Sequence, residues 1–212
     1  MNVKYPAQKT LFAEQLVNCN GLRQAGFEQW AFYAGMLFGA KEKWWGDRGL
    51  RPRPHEGIDL CLYTDKAGRP FRLVESSRIP VMLDGEIAKI EEDLLGDSVY
   101  VGHPIDDGRG RRLWTVYGHT NPAEHIAPGR RVQQGEIIAT LTMVDGRTST
   151  LFAHLHLSMA WVSTAIALHE INWETLHDPG ISVLLDPLHA MRCPYRILDP
   201  EASVGPPSQT IS

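Results

Sequence analysis

Cysteine is scarce in this sequence. Cys19, Cys61 and Cys193 form an odd count at wide spacing. That excludes a disulfide framework or a cysteine-type zinc site as the organising principle, and the three are expected as unpaired packing residues. No apolar run approaches the roughly 20 residues that a helical membrane span requires, so no span is expected. A surplus of positive charge is also missing: 21 basic residues stand against 25 acidic ones, for a net charge of −4. Nothing therefore points to a nucleic-acid partner. Internal repeats and low-complexity tracts are absent. Met1 to Gln8 lacks the apolar core and cleavage site of a secretory signal. The helical zinc-protease motif H-E-x-x-H is missing too, because His169-Glu170 is followed by Trp173 where the second histidine would stand.

What is present is enough for one sizeable core: 212 residues, 43% of them hydrophobic. Nineteen glycines and fourteen prolines indicate a turn-rich chain, more β than α. Residues 1–50 are expected as a partly helical N-terminal extension leaning on a main domain at 51–200, with 201–212 a loose C-terminal tail. Apolar residues recur at helical spacing over 7–18, and Asn20-Gly21 would end that helix. Phe27 to Phe38 is a second helix candidate, stopped at Gly39. Trp44 and Trp45 are expected to pack rather than to bind ligand.

From residue 78 the pattern changes to short strands between turns. Ile79–Met82 leads into a turn at Leu83–Glu86, and Ile87–Ile90 alternates. Val99–Val101 and Leu113–Tyr117 bracket a hairpin loop at Asp106–Gly110. Gly129 and Gly135 bound another short strand, Asp145-Gly146 marks a turn, and Leu151–Met159 forms a final strand. Beyond Trp161 the chain reads as irregular, with a helical turn at Trp173–Leu176 and a corner at Leu185–Leu188. The expected fold is mainly β, an antiparallel sheet or open barrel.

Two segments carry metal chemistry. In a strand, residues i and i+2 share a face, so His154 and His156 project together while Leu155 and Leu157 face a core. One imidazole can ligate a metal and the other can move protons. Upstream, Pro52 and Pro54 forbid a helix, which leaves His55 on a loop and Asp59 on a strand. Gly57 between them is expected to let the backbone turn so that both side chains reach one point. An imidazole nitrogen and a carboxylate oxygen are good zinc ligands. Thr115, Tyr117 and His119 are expected on one strand face. His103, His125, His169, His177 and His189 match no motif and are assigned solvated or capping roles.

Four segments then stand in order: His55-Glu-Gly-Ile-Asp59, Asp84-Gly85, Tyr117-Gly-His119 and His154-Leu-His156, with Gly129 and Gly135 between the last two. This order and spacing, over about residues 50 to 160, resembles the lysostaphin-type (LytM-like) zinc endopeptidases of peptidoglycan. The resemblance implies a β-rich LytM-like domain with one zinc ion at the floor of a groove. It implies His55, Asp59 and His156 as metal ligands, and His154 and His119 as catalytic residues whose roles can be exchanged. It implies peptidoglycan peptides as partners and a cell-envelope or extracellular setting, in which the N-terminus lacking a signal stands apart. Ser158 occupies a position where the family carries an acid, and the segment 147–153 lacks the family's glycines. Both departures bear on groove shape and on what steadies the ligands, not on the ligands themselves. Two other functions compete. One is a non-catalytic binding or regulatory module on the same fold. The other is a cupin-like metal protein, which residues 157–161 disfavour because they offer no acid.

Overall fold

The computed structural model describes residues 5–7, 10–143 and 151–205. Its first helix, α1 (Phe12–Cys19), buries Phe12, Ala13, Leu16 and Val17 on one stripe. Asn20 ends it and also ties it to the next layer, accepting from the Arg78 backbone N–H at 2.7 Å and donating to the Arg78 carbonyl at 2.9 Å. The strands that follow are β1 (Gln29–Phe32), β2 (Gly57–Leu60), β3 (Leu62–Thr64), β4 (Pro70–Arg72) and β5 (Arg78–Pro80). Then come β6 (Gly85–Glu92), β7 (Asp97–Asp106), β8 (Arg111–Pro122), β9 (Arg131–Val132), β10 (Ile137–Leu141) and β11 (Leu155–Ser163). Helix α2 (Trp173–His177), strand β12 (Ser182–Leu185), helix α3 (Pro187–Met191) and strand β13 (Tyr195–Ile197) complete the order.

The fold is mainly β, as expected, and almost wholly antiparallel. A small sheet runs β13-β1-β3-β4, in which only β1 and β13 are parallel. The large sheet runs β12-β11-β8-β7-β6-β9, with β2 on β11 and β10 bridging β5 and β8. Among the described strands it does not close on itself.

Several expectations need correction. Phe27–Phe38 is not a helix. It forms β1 and a short 3-10 turn at Ala34–Met36. Trp30, Ala31 and Phe32 are all buried, so the segment has no polar face of the kind a surface helix needs. Beyond Trp161 the chain is more regular than expected, with β11 running to Ser163 and β12 pairing against it. The turn expected at Asp145-Gly146 lies outside the described residues, as do 206–212 of the expected tail. Within residues 1–50, β1 sits between β3 and β13 in the small sheet.

The strand that organises the large sheet is β11. One edge pairs with β8 from His156 to Ser163, and the other is shared by β2 and then β12. The approach of β2 is close. Gly57 does not act as the flexible hinge the sequence suggested. It starts a strand opposite Ser158, and a Cβ there would run into the Leu157 carbonyl and come 2.6 Å from Ser158 Oγ. Glycine is required for proximity.

His103 is also unlike its expectation, being fully buried. Nδ1 faces the Asp84 carbonyl at 2.9 Å and Nε2 faces Thr115 Oγ1 at 2.9 Å. A carbonyl only accepts, so the neutral ring carries its proton on Nδ1 and Nε2 accepts from Thr115. Thr115 Oγ1 also lies 3.1 Å from the Tyr117 hydroxyl, which accepts from the Met82 N–H at 2.7 Å. This chain of polar groups fastens β7 and β8 to the Met82–Asp84 corner. Burial pushes the His103 pKa down to about 4, against the pull of Asp84.

Two predictions follow from these contacts. Gly57→Ala is expected to destabilise the fold by at least about 1–3 kcal/mol, the cost of overpacking, measured by denaturant unfolding. His103 titrates lower folded than unfolded, so below pH ~6.5 the unfolded chain binds the proton first. Its contribution is complete above that pH and falls as pH drops towards 4. His103→Gln should flatten this slope, of up to about 1.4 kcal/mol per pH unit, in urea titrations run at several pH values.

Candidate metal centre

The register of β11 assembles the centre. His156 pairs with Asp59 of β2 on one side and with Gly118 of β8 on the other. His55 enters from the loop before β2, its backbone held by Ala40 and Gly39. As a result His55, Asp59 and His156 each offer one ligand atom within 4.8 Å of the others, all three buried. His55 Nε2 lies 3.1 Å from Asp59 Oδ1, His156 Nδ1 lies 2.9 Å from the same oxygen, and the two nitrogens are 3.2 Å apart. A tetrahedral zinc with bonds of about 2.0–2.1 Å needs ligand atoms roughly 3.3 Å apart, so the triangle is close to the size of the ion.

The protons agree with this. His55 Nδ1 faces the Leu37 carbonyl at 3.1 Å, so that nitrogen donates and Nε2 presents its lone pair inward. His156 Nε2 is 2.9 Å from Ser158 Oγ. His156 Nδ1 donates to Asp59 Oδ1 at 2.9 Å; in the tautomer that would ligate a cation, the Ser158 hydroxyl can accept the outer Nε2–H and free Nδ1 for the centre. Burial opposes charge on Asp59, but the imidazoles of His55, His154 and His156 around it hold its carboxyl well below the usual range. Two imidazole lone pairs and a carboxylate oxygen converging on one buried point form a donor set suited to a cation.

His154 immediately precedes β11 rather than lying within it, yet it stays on the His156 face. Nδ1 donates to the Phe152 carbonyl at 2.8 Å, and Nε2 lies 3.8 Å from Asp59 Oδ1. Burial is the main cause that lowers its pKa to about 4. At neutral pH the ring is uncharged, with a bare Nε2 beside the centre.

His119 joins the same group by an unexpected route. By strand alternation it would share a face with Thr115 and Tyr117. Tyr117 does lie opposite Leu157, on the core side. His119, however, has a φ of 62°. Between the pairs Val99↔Tyr117 and Asp97↔Thr120, β8 takes three steps to two on β7. This bulge re-aims the side chain, so that the His119 ring stands 4.9 Å from that of His154 and 5.8 Å from that of His156. Positive φ strains a residue with a Cβ, and Asp93 offsets that strain. Asp93 Oδ2 accepts the His119 backbone N–H at 2.8 Å, and Oδ1 accepts Nδ1–H at 2.9 Å. It also accepts from Ser98 Oγ and from the Leu95 and Gly96 N–H groups. Burial resists its charge, but the hydrogen bonds and charge of His119 outweigh it and hold the carboxyl below its ordinary value.

Other groups around the centre were not assigned to it from the sequence. Trp44 Nε1–H donates to Asp59 Oδ2 at 2.7 Å, and its ring stands edge-on to His154 at 5.3 Å. From α2, Trp173 stands edge-on to His156 at 5.2 Å. His177 caps the end of α2, its Nδ1 donating to the Trp173 carbonyl at 2.7 Å, and its Nε2 reaches Glu56 Oε2 at 3.5 Å. A signal for Asp93 existed in Asp93-Leu-Leu-Gly96, a turn in which an Asp side chain caps following N–H groups. Trp44 was marked only for packing, and it is buried, but nothing local tied it to Asp59.

No family model matches the sequence, and no curated protein matches it. Among solved structures, the fold is similar to lytM from Ruminococcus gnavus, with 17% identity, 65% of this chain and 46% of that chain covered, and a TM-score of 0.42. It is similar to cbpa from L. salivarius REN at 15% identity, covering 76% and 86% of the two chains, with a TM-score of 0.42. It is also similar to lysostaphin at 15% identity, covering 88% and 55%, with a TM-score of 0.44. The chain spans about half the length of the lytM and lysostaphin structures.

Asp93→Asn sets an amide N–H₂ against donors. It is expected to lower stability by about 1–3 kcal/mol, the cost of unsatisfied buried polar groups. The Asp93 contribution is full above the unfolded carboxyl pKa of ~3.9 and is lost as pH falls through the lower folded value, so the variant should also lose that acid-side slope. Unfolding curves between neutral and acidic pH check both points.

Proposed function

We propose that the protein is a zinc-dependent endopeptidase that hydrolyses amide bonds in peptidoglycan stem or cross-bridge peptides, acting at the cell envelope. The observation that carries this reading is the convergence of His55 Nε2, Asp59 Oδ1 and His156 Nδ1 on one buried point, with neutral His154 and anchored His119 beside it. These five residues are the ones that match the order and spacing of the peptidase motifs. His55, Asp59 and His156 would hold the ion. Zinc bound there would supply Lewis acidity and acidify a water in its open position towards pKa ~7.

The chain's own residues then account for the proton traffic. His154 is neutral at physiological pH, with Nδ1–H committed to the Phe152 carbonyl. Its Nε2 accepts a proton from the attacking water and afterwards delivers it to the leaving amine. His119 has Nδ1–H committed to Asp93, so Nε2 is the nitrogen it presents to substrate. From there it orients the water or, when protonated, donates to the tetrahedral oxyanion. The substrate approaches on the His119 side, because that side chain retains 20% exposure while His154, His156 and Asp59 are buried.

The test combines bound metal with release of new amine ends from purified peptidoglycan. Wild type is expected to carry one equivalent of zinc and to release amines. Asp59→Ala should lose both. His154→Ala should keep zinc and lose hydrolysis by about 10²–10⁴-fold, the usual worth of a general base. Zinc in wild type without hydrolysis would favour the binding or regulatory module, and absence of zinc would overturn the proposal.

A further inference from the structure

Asp59 shows a division of labour between its two oxygens. Oδ1 faces the centre, within 3.1 Å of His55 Nε2 and 2.9 Å of His156 Nδ1. Oδ2 points away and takes the Trp44 indole N–H at 2.7 Å and Arg51 Nη2 at 3.4 Å. Arg51 Nη2 is in turn anchored by the Gly35 carbonyl at 3.1 Å. The same stretch of chain provides the Leu37 carbonyl that fixes the His55 tautomer, and the Ala40 carbonyl and Gly39 N–H that hold the His55 backbone. Trp44 is buried, its ring 5.8 Å from that of Phe152 and 5.3 Å from that of His154.

We infer that Trp44 and Arg51 are positioning residues of the metal centre, which hold Asp59 Oδ2 turned away so that the carboxylate offers a single oxygen to the ion. The inference rests on the proposed zinc site and adds to it a function for residues 35–51, as the outer shell of two of its three ligands. A carboxylate can bind a metal through one oxygen or two. With Oδ2 occupied by a short indole hydrogen bond, the second mode requires breaking that bond. The indole suits this task. It carries one N–H and no acceptor, so it cannot compete for the ion, and its ring packs the space beside His154.

The experiment uses the full chain and zinc alone, with affinity measured by competition against a chromophoric chelator, and cobalt(II) as a spectroscopic substitute. Trp44→Phe keeps an aromatic ring and deletes the donor. It is expected to weaken zinc binding by about 10–100-fold, as removal of such partners does. It should also weaken the visible cobalt bands, as Asp59 adds its second oxygen and raises the coordination number. Trp45→Phe, next in sequence and not in contact with Asp59, should match wild type. Arg51→Met removes the longer contact and should cost less than Trp44→Phe. This variant carries the test if Trp44→Phe fails to fold. Wild-type affinity and an unchanged cobalt spectrum in both Trp44→Phe and Arg51→Met would overturn the inference while leaving the peptidase proposal standing. A wild-type chain that binds no zinc would instead remove the premise of both.

Discussion

The seating of β11 between two neighbours at the level of His156 is the contact on which the site depends. Strand pairing fixes positions to within one residue, and a slip of one would turn every side chain of β11 to the opposite face. With Asp59 on one flank and Gly118 on the other, His156 comes within reach of the upstream pair and of the bulge that carries His119. Gly57 acts through distance: it lets β2 approach β11, where an added Cβ would come 2.6 Å from Ser158 Oγ. Hydrogen bonds of the backbone thus set most of the geometry before any side chain selects a rotamer.

The side chains are then fixed by partners that can only accept or only donate. Carbonyls of Leu37 and Phe152 take the outer N–H of His55 and His154, and the Asp93 carboxylate takes that of His119. Each such contact chooses which nitrogen faces the centre. Burial adds a second effect. It lowers the pKa of His154 and keeps the ring neutral, while the surrounding imidazoles keep Asp59 ionised despite the same burial. One low-dielectric pocket therefore holds a base in its neutral form and a carboxylate in its charged form.

Much of this was legible in the sequence where a short pattern carries the information. Alternation and turn glycines marked the strands from residue 78 onward, and the i, i+2 rule placed His154 and His156 on one face. Proline excluded a helix before His55. The parts that were not legible depend on contacts distant in sequence. The strand at Gln29–Phe32 is specified by its neighbours at residues 62–64 and 195–197 rather than by its own pattern. The face taken by His119 follows from a bulge and from Asp93, 26 positions earlier. Gly57 was noticed for the wrong physical reason, flexibility in place of close approach. Ser158 appeared as a missing acid, yet an acceptor is all that the outer N–H of His156 needs, and a hydroxyl provides one.

The same long-range character sets the order in which the molecule can be completed. During synthesis Trp44, His55 and Asp59 emerge together, but His156 follows His55 by 101 positions. The parallel partner of β1 arrives later still, at Tyr195–Ile197. Until β11 docks between β2 and β8, the cluster of His55, Asp59 and His156 is incomplete, and contacts of such sequence separation form slowly. The cluster is therefore a property of the whole folded sheet and not of the stretch of chain that carries His55 and Asp59.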